Sequence, residues 1–389
     1  MTPVQRIDPM PLRIPRHTVL TVGAALSQTG MYALQGQQAL QGLRLWVEET
    51  NAQGGLFVPA LREAISLQLI AYDDHSRRAD VEQLIAHLIG VDRVDFLIGP
   101  YSSGLAHAAA AVAEAHQKVL WNHGGSSDAI IRQGFRWSVH LPTPASGYFA
   151  GLFACLLRDG AEAGRVAVVR RRRGTFSAEV ASGIERQAER GGFAMLAPFY
   201  YPDDPRHLEG LAAALAAADP AVLIAVGRYA DDVALIRTMR QMSCGITAIA
   251  AVGVPMQAFR NDLQAMADGC IGPSQWELGT AATLDVGPPS SVFSERFRQR
   301  FGHLPDYPAA QAYAAGLILQ HCVRLAGTCA DADLRATADR LACRTFYGDF
   351  RLDPETGEQV GHEAVLVQWQ KGEKKVVWPT ALAQARLML

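Results

Sequence analysis

Three residues with hydroxyl groups, Tyr101, Ser102 and Ser103, stand between a predicted strand and a predicted helix. The apolar run Val94–Ile98 predicts the strand, and the alanine-rich run Leu105–Ala115 predicts the helix. In open α/β sheets, ligands bind beyond the carboxyl ends of the strands, where helix N-termini face a crevice. Serine hydroxyls and free backbone N–H groups at that place could hold an anion such as a carboxylate. Serine is also a preferred helix N-cap, so the alternative is that these serines simply begin the helix.

A second polar stretch, Asn122–Asp128, follows the short predicted strand Val119–Trp121. Its candidate ligand-binding residues are His123, Gly124, Gly125 and Ser126. The His-Gly-Gly sequence is like the oxyanion loop of some esterases, but the chain has no serine with glycines two residues before and two after it. Without that nucleophile elbow we do not expect a hydrolase. The alternative for His123 is a structural hydrogen-bonding role.

Other residues that could do chemistry form no enzyme signature. The chain has no GxGxxG, GxxxxGK or HExxH sequence, and its six cysteines show neither a CxxC pair nor zinc spacing. Three of these cysteines, Cys322, Cys329 and Cys343, are near enough in sequence for one disulfide, and buried free thiols are the alternative. We therefore predict a protein that is not an enzyme and that uses no cofactor or metal.

Arginines follow two predicted strands at their carboxyl ends. The run Arg170–Arg173 follows Arg165–Val169, and Arg228 follows Ala221–Val226. These side chains could attract an anionic ligand into the crevice. The alternative is a solvated turn, because runs of charge usually face water.

The composition bounds the class of protein. The chain has 389 residues, of which 49% are hydrophobic and 19% charged, and a net charge of −2. Two lobes with separate cores fit this length. The charge balance gives no reason to expect nucleic acid as a partner, and no apolar run approaches the ~20 residues needed to insert into a membrane.

Predicted strands and helices alternate in two runs, one before residue 140 and one after it. The first run has strands at Thr18–Ala25, Ser66–Tyr72 and the two strands named above, with Leu26–Gly36 as a loop and a helix from there to Thr50. The second run has strands at Arg165–Val169, Phe193–Phe199, Ala221–Val226 and Ile246–Ala251, separated by helices. Continuous apolar strands between helices are typical of parallel sheets that are covered on both faces. The sequence therefore predicts an α/β fold with two doubly wound, Rossmann-like lobes.

Several phrases together resemble the type I periplasmic solute-binding proteins of ABC importers, in the leucine/isoleucine/valine-binding family. They are Ser27–Gly30 (SQTG), Val47–Gly55 (VEETNAQGG), Tyr72–Asp74 (YDD), Ile98–Gly104 (IGPYSSG), Gly272–Glu277 (GPSQWE) and the ending Val367–Pro379. Their order and spacing carry the resemblance, which spans roughly residues 18–379.

This resemblance implies two lobes that are joined by three crossing strands and clamp a ligand between them. The implied lobes are residues 18–141 with 273–345, and residues 142–272 with 346–380, after an N-terminal tail of residues 1–17. The implied crossings lie near Leu141–Pro144, Gly272–Trp276 and Phe346–Phe350.

The resemblance also implies how the ligand is held. The first lobe of the family grips a carboxylate through hydroxyl residues at positions that match Ser103 and Ser126, with backbone N–H groups near Gly124 and Gly125. The loop that often covers the ligand contains Tyr32 and Gln35. The predicted ligand-binding residues are Tyr32, Gln35, Tyr101, Ser102, Ser103, His123, Gly124, Gly125, Ser126, Tyr148, Phe176, Arg228 and Val252.

The chain departs from the pattern of amino-acid binders in the second lobe. Where the family offers an acidic residue to the ligand's ammonium, this chain has the stretch Ala250–Val254, which contains Val252 and no carboxylate. The tyrosine expected after the first strand of this lobe is replaced by Thr175-Phe176. A buried ammonium without a partner is costly. We therefore expect a carboxylate with an apolar or aromatic body. The candidate packing surfaces are Trp121, Tyr148, Phe176 and Tyr229.

The predicted function is the solute-binding component of an ABC importer, with the membrane permease as partner and an amino acid or related organic acid as ligand. The resemblance implies a periplasmic location, yet the proline-rich start of this sequence contains no signal peptide. The alternative is a cytoplasmic ligand sensor of the amide-binding type on the same fold.

Overall fold

The computed structural model describes residues 19–242, 244–280 and 283–389. The predicted tail, residues 1–17, and Thr18 lie outside the described residues. The strands are β1 (Val19–Leu26), β2 (Leu56–Val58), β3 (Glu63–Asp73), β4 (Phe96–Ile98), β5 (Leu120–Asn122), β6 (Ser138–His140), β7 (Arg165–Arg170), β8 (Ala194–Met195), β9 (Phe199–Tyr200), β10 (Val222–Val226), β11 (Ala248–Ala251), β12 (Ile271–Ser274), β13 (Ala342–Thr345), β14 (Gly348–Arg351), β15 (Val365–Gln370) and β16 (Glu373–Trp378). The α-helices are α1 (Ala33–Ala52), α2 (Arg78–Gly90), α3 (Ser103–Ala115), α4 (Asp128–Arg132), α5 (Leu152–Arg158), α6 (Thr175–Arg190), α7 (Leu208–Ala218), α8 (Tyr229–Gln241), α9 (Gln257–Leu263), α10 (Ser290–Phe301), α11 (Tyr307–Ala326) and α12 (Asp331–Ala338).

The first sheet has six strands in the order β2-β3-β1-β4-β5-β6. All of its neighbouring strands are parallel except the edge pair β2 and β3. One face packs against α1 and α11, and the other packs against α2 and α3. This double coverage explains why β4 is apolar at every position, since both of its faces are buried.

The second sheet has the order β16-β15-β12-β11-β10-β7-β8, and β9 also pairs with β7. Strands β7 to β12 are parallel to one another, whereas β15 runs antiparallel to both β12 and β16. Helices α5 and α6 cover one face, and α7, α8 and α9 cover the other. The predicted α/β class with two doubly wound sheets is confirmed. No helix among the described residues is long and apolar enough to span a membrane.

Helix α1 begins earlier than the sequence predicts. We expected a loop through Gly36, but Gln35 and Gly36 lie in the first turns of the helix. The glycine serves close packing instead of a turn, because a Cβ at this position would lie 2.0 Å from the carbonyl oxygen of Ser27.

The single strand expected at Phe193–Phe199 is two short strands, β8 and β9, which both pair with β7. Residues 196–198 separate them, and this segment ends in Pro198. Proline has no N–H to donate to a sheet ladder, which accounts for the interruption.

Gln275 lies in one of the three passages by which the chain moves between the sheets, and it contacts the other two. Its Oε1 accepts a hydrogen bond from the N–H of Thr143 at 3.0 Å, and its own backbone oxygen lies 2.9 Å from Nε2 of His362. Its Nε2 also donates to the carbonyl oxygen of Thr143 at 3.3 Å. Residues 143, 275 and 362 thus meet where the predicted crossings at Leu141–Pro144 and Gly272–Trp276 lie.

The third passage comes later than Phe346–Phe350. Both phenylalanines are buried in the core of the first sheet, where Phe346 stacks on Phe293 of α10 with ring centroids 4.5 Å apart. The chain therefore returns to the second sheet after Leu352, which belongs to the same core, and before β15. The aromatic packing keeps the hairpin of β13 and β14 on the first sheet. This packing does not fit the predicted boundary between residues 345 and 346, and the other proposed lobe boundaries stay predictions.

Candidate functional site

Three tyrosine side chains gather at the carboxyl end of the first sheet. Tyr101 follows β4, and its ring centroid lies 6.2 Å from that of Tyr32 and 6.5 Å from that of Tyr307. The hydroxyl oxygens of Tyr101 and Tyr307 are 2.6 Å apart. Burial raises the pKa of both phenols, so both remain protonated at neutral pH, and one of the two hydroxyls donates to the other.

Two further aromatic residues approach from the side of the second sheet. Tyr148 and Phe176 both pack against the core of that sheet, and their rings form an edge contact with centroids 5.4 Å apart. The Tyr148 hydroxyl donates a hydrogen bond to Oγ of Ser126, which follows β5, at 2.9 Å. This bond joins the two sides of the cleft.

The Tyr148 hydroxyl lies close enough to contribute to the raised pKa values of Tyr101, Tyr307 and Tyr347. Burial is the largest cause in each case. Tyr101, Tyr148, Tyr307 and Tyr347 are therefore neighbouring buried phenols. The Tyr148 hydroxyl donates to Ser126, the Tyr347 hydroxyl donates to Gln275, and one of the Tyr101 and Tyr307 hydroxyls donates to the other. One phenolic hydrogen of the four is thus left for an anion, while the rings offer apolar faces to the rest of a ligand.

Ser103 and Ser126 each retain a hydroxyl hydrogen for a ligand. Ser103 is buried, and its Oγ accepts the N–H of Ser127 at 3.0 Å. Ser126 is also buried, and its Oγ accepts from Tyr148. A serine hydroxyl has one donor hydrogen besides its acceptor lone pairs, and these contacts use only the lone pairs. Both residues can therefore donate to a carboxylate.

Ser102 is the helix cap that the alternative interpretation expected. Its Oγ accepts the N–H of Leu105 at 3.4 Å, at the start of α3. Its backbone has φ +82°, a conformation that residues other than glycine rarely adopt. Such strain costs on the order of 1–3 kcal/mol and is concentrated at ligand-binding sites. Ser102 thus orders the turn on which Ser103 stands.

His123 is fully buried, and neither of its ring nitrogens has a hydrogen-bond partner among the described residues. Burial lowers the pKa of His123 to about 4, against a smaller opposing effect of the Gly99 backbone. The ring is neutral at physiological pH and has one donor and one acceptor nitrogen. The Gly99 backbone lies near enough to act on the ring, so the structural hydrogen-bonding role of His123 stays an alternative.

The glycines after His123 serve packing. The N–H of Gly125 donates to Oδ1 of Asn122 at 2.8 Å, and a Cβ on Gly125 would lie 2.2 Å from Cβ of Ala106. Gly124 forms a bridge with Tyr101, and a Cβ there would lie 2.7 Å from Cα of that residue. Contrary to the expectation, the N–H of Gly125 is not available to an anion in this structure.

The arginine run after β7 is mostly engaged with protein groups. Arg170 and Arg172 lie over the ring of Tyr200 at 5.0 and 4.2 Å, and Arg171 pairs with Asp231 at 3.0 Å.

Two other predicted residues follow strands of the second sheet: Arg228 comes after β10 and Val252 after β11. Arg228 is exposed at the start of α8, and Val252 is half-buried against the core of its sheet. Gln35 of the first side is buried, and its Oε1 has no partner among the described residues.

The predicted ligand-binding residues do not include four residues of this region: Glu179, Gln275, Tyr307 and Tyr347. Glu179 and Gln275 carry no local signal, because their partners come from distant parts of the chain. Tyr307 begins a helix just before Pro308, so the sequence marks the start of α11 without indicating that this ring faces Tyr101. Among the described residues, no group of three histidine, cysteine or acidic side chains is placed to hold a metal ion. The six cysteines are free thiols.

Comparison with known proteins extends over nearly the whole chain. A family model described as periplasmic binding protein matches residues 19–374. The Leu/Ile/Val-binding protein homolog 7 of Brucella abortus (strain 2308) is 24% identical over 396 aligned residues, which cover 96% of this chain and 95% of the relative.

Two solved structures have the same fold. The branched-chain amino acid transporter substrate-binding protein LivJ of Streptococcus pneumoniae, in complex with isoleucine, superposes with a TM-score of 0.78 at 17% identity and covers 93% of this chain and 100% of that one. An ABC transporter solute-binding protein of R. palustris, in complex with benzoate, superposes with a TM-score of 0.77 at 19% identity and covers 92% of this chain and 95% of that one.

Proposed function

This chain belongs to the periplasmic binding protein family, and from that membership we propose that it is the solute-binding component of an ABC importer, located outside the cytoplasm, for a small acid with an aromatic or apolar body. The ligand's carboxylate binds Ser103 and Ser126 on the first side of the cleft. Its body packs between the tyrosines of that side and the pair Tyr148 and Phe176 on the other. The two lobes close on the ligand because it contacts both of them.

The choice of ligand rests on one observation. The side of the cleft formed by the second sheet has aromatic and basic groups, whereas the ammonium of an amino acid would need an acidic residue there. The loops after β7, β10 and β11 contain residues 171–174, 227–228 and 252–256, none of which is an aspartate or glutamate. Glu179, which lies nearby in α6, already accepts hydrogen bonds from four protein groups. These loops and Glu179 therefore supply no free carboxylate to the ammonium of an α-amino acid, and an unpaired buried ammonium is costly.

The solved structures support a solute-binding role on this fold, but they do not choose between the two classes of ligand. The R. palustris solute-binding protein holds benzoate and the Streptococcus pneumoniae protein holds isoleucine on the same fold. The fold thus accommodates either class of ligand, so the side chains of the cleft decide between them.

Thermal denaturation against a matched panel tests the ligand class. The panel contains benzoate, 3,4-dihydroxybenzoate, benzamide, isoleucine and succinate. A ligand at one hundred times its dissociation constant adds about 2.7 kcal/mol to the free energy of unfolding. In lobes of this size that raises the melting temperature by roughly 2–4 °C per kcal/mol.

We expect the aromatic acids to raise the melting temperature and benzamide, which has the same ring without the charge, to leave it unchanged. A shift with isoleucine alone would contradict the argument from the missing acid. A shift with benzamide alone would favour a cytoplasmic amide sensor. The importer role is tested separately by uptake of radiolabelled benzoate in a strain that lacks the gene, and undiminished uptake would contradict it.

A further inference from the structure

Glu179 is a buried carboxylate that reaches across the cleft. It lies in α6, whose Val180 and Ile184 pack against the second sheet, and only 8% of its surface is exposed. Its hydrogen-bond partners belong to the other side, at the start of α4, whose Ile130 is buried in the core of the first sheet. The contact therefore exists only while the two lobes are close together.

Four donors from residues 127–132 converge on this carboxylate. The hydroxyl of Ser127 and the N–H of Asp128 donate to Oε2 at 2.6 and 2.9 Å. The N–H of Ala129 and the guanidinium of Arg132 donate to Oε1 at 2.8 and 2.6 Å. Hydrogen bonds to an ionised group are about twice as strong as neutral ones, so this set is a strong link between the lobes.

The same segment carries the serines of the proposed anion site. Ser127 donates its N–H to Oγ of Ser103 at 3.0 Å, and its own Oγ is bonded to Glu179. Ser126 is the preceding residue and accepts from Tyr148. A second hydroxyl of α6, on Thr175, lies 2.8 Å from Oγ of Ser127. Moving Glu179 away would release Ser127 and, through it, the hydrogen bond that orients Ser103.

We propose that Glu179 is a positioning residue that couples lobe closure to the orientation of Ser103 and Ser126. This inference rests on the proposed function. Glu179 does not need to touch the ligand, because protein groups occupy both of its oxygens. In the open state, water solvates the carboxylate and the start of α4 separately. In the closed state, the carboxylate fixes residues 126–129, and the serine hydroxyls face the ligand with their hydrogen-bond geometry already set. Such preorganisation lowers the cost of ordering on binding.

Three variants test the coupling, first without any ligand. Glu179→Gln removes the charge with little change of shape, and Glu179→Ala removes the acceptor. Glu185→Gln, an exposed glutamate of the same helix, is the matched control. We expect amide hydrogen exchange at Asp128 and Ala129 to become about tenfold faster in Glu179→Gln, the size of losing one hydrogen bond to a charged group. The radius of gyration from X-ray scattering should rise, since the closed state loses its link, and the control should match the unaltered protein in both measurements.

The second measurement uses benzoate as the probe. We expect Glu179→Gln to weaken benzoate binding about tenfold, mainly through faster dissociation, and Ser127→Ala to add little to that loss because the two residues act through one contact. A role confined to folding would lower the melting temperature and leave the dissociation constant of the folded protein unchanged, and that result would overturn the proposal. Unchanged exchange at Asp128 and Ala129 in Glu179→Gln would overturn it as well. If the unaltered protein does not bind benzoate, the proposed function fails on its own, while the exchange and scattering results still decide the coupling.

Discussion

Tyr148 donates its hydroxyl hydrogen to Oγ of Ser126 over 2.9 Å, and this single bond spans the cleft between two separately packed sheets. The bond leaves the hydrogen of Ser126 free, so the serine can accept from one lobe while it donates to a ligand. The ring of Tyr148 also makes an edge contact with the ring of Phe176. This neutral bond leaves a hydroxyl donor in the cleft, a group suited to a carboxylate, beside the charged contact of Glu179 with residues 127–132.

Ser103→Ala and Ser126→Ala should each weaken benzoate binding by ~1–3 kcal/mol, because each removes a hydroxyl donor to a charged group. Isothermal titration calorimetry at constant salt measures the loss. The exposed Ser291→Ala on α10 is the matched control and should bind as the unaltered protein does. If both cleft variants keep the original affinity, the ligand lies elsewhere.

Tyr148→Phe should weaken benzoate binding by a smaller amount, ~0.5–1.5 kcal/mol, since the ring and its contact with Phe176 remain while the bond to Ser126 is lost. Tyr148→Ala removes the ring as well and should bind more weakly than Tyr148→Phe. Dissociation rates from stopped-flow fluorescence separate the two variants. Equal affinities for Phe and Ala at this position would show that the ring does not contact the ligand.

The sequence predicted the parts of the site whose signals are local. The strand before Gly99-Pro100 and the alanine-rich helix after Ser103 are both present, because an apolar run and a serine cap need only neighbouring residues to be recognised. The distribution of roles within the turn was not predictable in the same way. Ser102 caps the helix, whereas the hydroxyl of Ser103 accepts a hydrogen bond from the N–H of Ser127. The role of Ser103 thus depends on a residue that is 24 positions away in the sequence.

The groups that the sequence could not indicate are those whose partners come from the other sheet. Glu179 reads as one more acidic residue of an amphipathic helix, and only the packing of α6 against α4 shows what it binds. Gly125 is the reverse case, because its local sequence suggested an anion loop, whereas the structure uses the glycine for close contact with Ala106. Periodicity fixes which face of an element is buried but carries no information about which side chain meets it across a cleft.

Asp232 should make stability depend on pH. Its carboxyl is buried beside the Tyr201 hydroxyl and the N–H of Gly227, at 2.7 and 2.8 Å, and burial raises the pKa of Asp232 to about 7. The folded state binds this proton more tightly than the unfolded chain, whose carboxyl has its ordinary pKa of 3.8. The protonated carboxyl therefore stabilises the folded state below about pH 4, and this stabilisation is lost as pH rises toward 7. The free energy of unfolding falls by about 1.4 kcal/mol for each pH unit between the two pKa values.

Asp232→Asn removes this titration and keeps an oxygen that can accept from Tyr201. Urea denaturation between pH 4 and 8 should therefore show the unaltered protein losing stability relative to Asp232→Asn as pH rises. The exposed Asp203→Asn is the control for a general charge effect and should keep the slope of the unaltered protein. Parallel pH profiles for the unaltered protein and Asp232→Asn would contradict the assignment.

Replacement of Gln275 should destabilise the hinge, by which we mean the passages of the chain between the two sheets. Its Oε1 accepts from the N–H of Thr143 at 3.0 Å and from the hydroxyl of Tyr347 at 3.2 Å, and all three residues are buried. Gln275→Ala leaves both donors without their acceptor, which costs ~1–3 kcal/mol for each buried group. Gln275→Glu restores an acceptor but places a charge in the buried hinge, so it should also be destabilised. Chemical denaturation should show both losses, with the exposed Gln299→Ala on α10 close to the unaltered protein. Because the hinge bonds act before any ligand binds, the loss should be the same with and without benzoate, and a loss seen only with benzoate would place Gln275 in the ligand site.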